Sequence, residues 1–320
     1  MRSRPEEGSA LIRGALALAQ EHDLAAGPRA FMNLADILNN RDRCDESAAE
    51  LRQGLVLARR MGHSFWEATL LGELSWPLAL SGEWDEALAC FEQLPEEQPG
   101  LGTFLVSLPE LLIARGRLAD ARRLLGLYGR YEESVDVQER PLWKAAQAVV
   151  LRGEGRNAEA LRAAEDALAA IEVLGPASQP VKVAFPQAVD AALALDDRNL
   201  AEQLLARIEA LPPGTLAPTL RAHSLRFRAR LAALDGSIDE ADAGYATAAG
   251  TFREFGMPFL LAVTLLEHND ALRASGRAED AEPMLAEARE TFERLEAVQW
   301  LERIDGIGVS GARERAAAGS

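Results

Sequence analysis

Ala68–Phe91, ATLLGELSWPLALSGEWDEALACF, is the stretch whose reading decides the fold. Leu71, Leu74 and Leu78 recur at three- and four-residue steps, the spacing of one face of a helix. Ser81-Gly82 interrupts the stripe, and a glycine at that point supplies the left-handed conformation in which helices end. Glu83-Trp84-Asp85-Glu86-Ala87 then opens a second helix whose acids complement the positive end of its dipole. Ala87 is small enough for two helices to cross closely, and Phe91 fills the groove beside it. The segment reads as a helix–turn–helix hairpin.

The rest of the chain repeats this unit in blurred form. The acid that opens each second helix recurs as Glu46, Glu86, Asp120, Glu159, Glu202, Glu240 and Asp280, at spacings of 40, 34, 39, 43, 38 and 40 residues. Glycine precedes it at Gly82, Gly116, Gly155, Gly236 and Gly276, whereas the fifth unit shows Arg198 where glycine is usual. Seven hairpins, a half-unit over Ser9–Glu21 and a capping helix over Trp300–Ile304 account for nearly all residues. Joints rich in Pro, Gly or acid lie at Leu94–Gly100, Tyr131–Pro141, Gly175–Pro180 and Leu211–Gly214. None is long enough for a domain linker. Residues 1–305 are therefore expected to form one helical-repeat domain, and 306–320, which lack an apolar stripe, a disordered tail.

The quoted hairpin resembles the tetratricopeptide (TPR) pattern. Leu71, Leu74, Ser75 and Leu78 match its first-helix positions, Gly82 its turn, and Ala87 and Phe91 its second helix. The resemblance implies an all-α, right-handed superhelix: an αα-hairpin solenoid of about seven TPR-like repeats, with a period near 39 residues and a concave wall built by the first helix of each pair.

Charge and composition remove several function classes. With 34 basic and 50 acidic side chains the formal charge is −16, and both halves are acidic, so direct nucleic-acid binding is not expected. No apolar run is long enough to span a membrane. Arg2 and Arg4 before Ser9–Ala19 faintly suggest a secretion signal, but Glu6, Glu7 and Arg13 interrupt it, while Leu11, Ala15 and Leu18 form a helical stripe. Cys44 and Cys90, lacking CxxC spacing, read as buried packing residues in a reducing compartment, and a cytoplasmic location is expected. His22, His63, His223 and His268 lie apart, with no zinc-ligand spacing and no nucleophile–base motif. Gly306-x-Gly308-x-x-Gly311 follows a helix rather than a strand, so it is not a dinucleotide loop. No enzyme activity, cofactor or metal is expected.

The concave-face candidates are Asp36 and Asn39, Glu73 and Trp76, Glu110, His223 with Arg226 and Arg230, and Asp270 with Arg273. Pro77 and Pro109 lie inside successive first helices, where each removes a hydrogen bond and frees a carbonyl near the groove. Two readings follow. One is a protein or peptide partner on the concave face. The alternative is a small anionic effector held by Trp76, Glu73 and the guanidinium pair of Arg226 and Arg230. Against the second, those arginines equally suit pairing with acids on adjacent helices, and Trp76 suits core packing.

Two stretches, Leu70–Ala89 and Glu282–Asp305, resemble the C-terminal repeat arm of bacterial STAND-ATPase and adenylate/guanylate cyclase-type regulators. Glu287-Ala288-Arg289, Phe292-Glu293-Arg294-Leu295 and Trp300-Leu301-Glu302-Arg303 carry the likeness, and Val135–Arg140 agrees with it. No G-x-x-x-x-G-K-[ST] motif occurs, so ATPase activity is not implied for these residues. What the resemblance implies is the sensor or regulatory arm of a larger signalling protein.

Overall fold

Every regular element among the described residues is helical. The computed structural model describes residues 5–21, 26–94, 102–212 and 214–306. A leading helix, α1 (Pro5–Glu21), precedes seven hairpins. These are α2 (Gly27–Asn39) with α3 (Cys44–Arg60), α4 (Ser64–Ser81) with α5 (Trp84–Glu92), and α6 (Phe104–Ala114) with α7 (Leu118–Leu127). The fourth pairs α8 (Glu139–Gly153) with α9 (Asn157–Leu168), and a short turn of helix, α10 (Ile171–Leu174), leads on from it. The fifth pairs α11 (Gln179–Ala194) with α12 (Arg198–Glu209). The last two join α13 (Pro218–Leu234) to α14 (Ile238–Glu254), and α15 (Pro258–Ala274) to α16 (Ala278–Arg294). A final helix, α17, spans residues 298–306. The fold is the TPR-like αα-hairpin superhelix. His22, most of the Leu94–Gly100 joint and the tail beyond residue 306 lie outside the described residues.

Local chemistry sets the breaks. Gly82 takes φ +83° and lets Glu83 N–H reach back to the Leu78 carbonyl at 2.9 Å, closing α4. The fifth unit differs from its sequence reading. Its left-handed residue is Asp196 (φ 59°), not the position of Arg198, and Asp197 caps α12 by accepting from Leu200 N–H at 3.0 Å. Asp42 (φ 59°) does the same in the first unit. Aspartate tolerates this conformation better than most side chains, which hides the turn from a search for glycine. Pro77 and Pro109 leave α4 and α6 continuous. Leu11 and Leu18 face solvent while Leu16 turns inward, because no described helix stacks on the outer side of α1.

The superhelix winds until its two ends meet. Residues Phe259–Asn269 of α15 are all buried, as in a helix enclosed on every side. The start of α15 abuts the α4–α5 turn, where Trp84 and Phe259 meet edge-on at 5.1 Å. Arg115 straddles the joint, its Nε donating to the Leu295 carbonyl at 3.0 Å and its Nη1 to Asp85 at 2.7 Å. A second closure lies deeper. Lys182 of α11 forms an ion pair with Asp42, both side chains almost wholly buried, and also donates to the Asn39 carbonyl at 2.6 Å. The other Asp42 oxygen accepts from Thr219 N–H, at the start of α13, at 2.7 Å. Hairpins one to three thereby lock onto hairpins five to seven, and the groove becomes an inner cavity.

Candidate functional site

The cavity has a volume of about 390 Å³. As expected for a TPR-like array, its wall comes from first helices (α4, α6, α8, α11, α13 and α15), with Trp84 and part of α17 closing one side. Of the sequence candidates, Trp76, Glu110, His223 and Arg226 come together here. The others lie elsewhere. Asp36 and Glu73 lie within each other's electrostatic reach away from the cavity, Asn39 is buried at the ring closure, and Arg230 and Asp270 line a shallower pocket with Tyr245 and Glu267. Arg273 sits half-buried in the last turn of α15, outside the cavity.

Most cations facing inward are already matched. Arg226 grips Glu267 bidentately (Nε–Oε2 2.7 Å, Nη2–Oε1 2.8 Å) and lies over the Phe227 ring. Arg230 donates to Asp190 at 2.8 Å and Arg303 to Asp270 at 2.6 Å. The guanidinium pair expected to grip an anion is thus engaged in lacing α11, α13 and α15 together. Burial pushes Asp190 up, but Arg226, Arg152 and Arg230 together hold its carboxyl below the usual range. Burial, with Arg226 beside it, drives His223 down to about 3, so its ring is neutral at physiological pH.

What remains unmatched is chiefly acidic. Glu110 opens into the lumen with no ion pair. Crowding by the surrounding helices raises its pKa against the opposing pull of Arg226 and Arg152, with Asp190 adding to the rise. Two donors are also stranded: Trp76 Nε1, on a residue 3% exposed, and Arg152 Nε, both buried without a hydrogen-bond partner. Arg152 reaches only the Asp190 carboxylate, at 3.8 Å. Among the described residues no three His, Cys, Asp or Glu side chains converge as metal ligands would.

Away from the cavity, burial and then the Asp36 charge raise Glu73 to about 7, although Thr103 Oγ1 donates to it at 2.9 Å. A folded pKa above the unfolded value means that the native chain keeps a proton the unfolded chain has released. Stability therefore falls as pH rises from about 4.5 to about 7, by at most about 3 kcal/mol, and is level above that range. Glu73→Gln should abolish this slope and stabilise the protein at pH 8. Chemical denaturation of both proteins at several pH values checks it, and parallel curves would contradict the assignment.

Sequence reasoning missed Lys182, Asp190, Glu267 and Arg152. Two of them left signals. Lys182 is one of only two lysines and sits between valines. Glu267 interrupts FLLAVTLLEHN, a run apolar on every helical face. A charge in either setting must be buried and paired.

No family model matches the sequence, and no curated protein matches it. Human IFIT1, solved as a dimer with m7Gppp-AAAA, superposes with a TM-score of 0.53 at 13% identity, over 89% of this chain and 67% of that one. A tetratricopeptide repeat protein from Parabacteroides merdae aligns with a TM-score of 0.48 at 15% identity, covering 82% of this chain and 98% of that one. BtubC from P. vanneervenii gives 0.42 at 16%, over 78% and 90%. At such identities the likeness is one of fold.

Proposed function

We propose that this chain is a non-enzymatic TPR-like interaction module that receives its effector on the inner face of the superhelix. We further propose that it is the sensor or regulatory arm of a bacterial, cytoplasmic signalling regulator of the STAND-ATPase and cyclase type. The observation that carries the first reading is the set of stranded polar groups in the cavity. Leaving Trp76 Nε1 and Arg152 Nε buried and unbonded costs about 1–3 kcal/mol each, which a ligand able to accept both bonds would recover. The cavity volume falls within the range of small-molecule sites. A cavity of this size suits an effector, or a single inserted side chain of a partner, better than an extended peptide. The IFIT1 ligand is a capped oligonucleotide; here the unpaired inner charge is acidic and the net charge is −16, which opposes a phosphate chain. No described helix is long and apolar enough to cross a membrane.

Three of the five tryptophans (Trp76, Trp84 and Trp300) line the cavity, so intrinsic fluorescence reports its occupancy. A metabolite library is scored by fluorescence and by thermal shift. Hits should disappear in Val183→Phe, which narrows the cavity. A library without hits, together with a protein partner whose binding ignores Val183→Phe, would sink the reading.

A further inference from the structure

We infer that the cavity takes a free α-amino acid with an apolar side chain, Glu110 holding its ammonium and Arg152 with Trp76 its carboxylate. This rests on the cavity being the receiving site. The inference starts from charges that folding leaves unmatched. Arg226, Arg303 and Lys182 are each held by a close carboxylate, at Glu267, Asp270 and Asp42. Glu110 has no cation, and Arg152 has only a 3.8 Å contact with an Asp190 already shared by two other arginines. Glu110 and Arg152 feel each other's field yet form no ion pair. Glu110 and Arg152 stand on neighbouring helices of the same cavity wall, and two opposite charges left unpaired there are what a zwitterion bridges, each end gaining a charge-assisted bond.

Trp76 supplies the second, independent observation. Trp76 lines the cavity, and its indole N–H is a buried donor with nothing to donate to that cannot titrate to relieve the cost. Trp76 and Arg152 line the same cavity, so a carboxylate bound there is the group that both donors call for. A simple amine would satisfy Glu110 but leave both donors stranded, and a simple carboxylate would leave Glu110 unmatched. Beside the paired polar groups, the lining includes an apolar set, Val106, Leu111, Val149 and Val263, that suits an aliphatic or aromatic side chain.

The test is calorimetric titration of the full chain at pH 7.5 and low salt with L-leucine, L-phenylalanine, N-acetyl-L-phenylalanine and L-phenylalaninamide. The free amino acids should bind, and each blocked derivative should bind about tenfold or more weakly, the loss of one charged hydrogen bond. Glu110→Gln and Trp76→Phe should weaken L-phenylalanine by a similar factor, whereas the surface variant Glu279→Gln should not. Circular dichroism and Tm verify folding of each variant. Equal binding of the N-acetyl form, or unchanged affinity in Glu110→Gln, overturns the amino-acid assignment. If such binding is also abolished by Val183→Phe, the cavity stands as the receiving site while its ligand class falls. If neither amino acid binds, the inference is overturned, and the library screen decides the broader reading.

Discussion

Asp42→Asn should lower folding stability by about 3–5 kcal/mol, because it strands a buried ammonium. Asn suits the left-handed backbone at position 42 as well as Asp does, and its carbonyl can still accept from Thr219 N–H, so the change isolates the charge. Lys182 keeps the Asn39 carbonyl but loses its counter-ion in a site from which water is excluded. The double variant Asp42→Asn with Lys182→Met should be markedly more stable than Asp42→Asn alone, since removing both partners abolishes the uncompensated charge. Urea denaturation of the four proteins measures the coupling. Additive losses would mean the two side chains do not depend on each other.

Gly82→Ala should cost about 2–5 kcal/mol, and Gly116→Ala about 1–2 kcal/mol. Both residues take positive φ, +83° and +74°, so each substitution bears the left-handed penalty of about 1–2 kcal/mol. Only at Gly82 does a Cβ meet another hairpin: it would lie 2.8 Å from Pro258 Cγ and 3.3 Å from Leu295 Cδ2, whereas around Gly116 nothing lies within 4 Å. The excess, about 1–3 kcal/mol, is the overpacking cost of pressing the second hairpin against the seventh. Equal losses at the two positions would mean that the ends of the array are not in contact.

The repeat was legible because it is local. Leu71, Leu74, Leu78, Gly82, Ala87 and Phe91 lie within 21 consecutive residues, and each hairpin carries its own punctuation. The inner surface was legible only in part. Period and register place Trp76, Glu110, His223 and Arg226 on one wall, but they do not fix how tightly the superhelix winds. That winding comes from contacts between residues far apart in sequence, such as Asp42 with Lys182 and Arg115 with the Leu295 carbonyl. For the same reason the state of Arg226 could not be read from its own helix. Its partner Glu267 lies 41 residues on, two helices later. The left-handed aspartates illustrate a different limit: Asp42 and Asp196 do a glycine's work under another name.

Closure of the array is the claim on which the cavity depends, and a distance across the joint tests it most directly. Glu83 and Glu293 are exposed and flank the contact between Gly82 and the end of α16. Spin labels at Glu83→Cys and Glu293→Cys, measured by pulsed dipolar spectroscopy in solution, should give one short and narrow distance distribution. The native cysteines, both buried and unpaired, are replaced by alanine beforehand. An open solenoid would separate the labels by five repeat-to-repeat steps of about 10 Å each along its axis. A broad distribution centred at several tens of ångströms would contradict the closed ring, and with it the enclosed site.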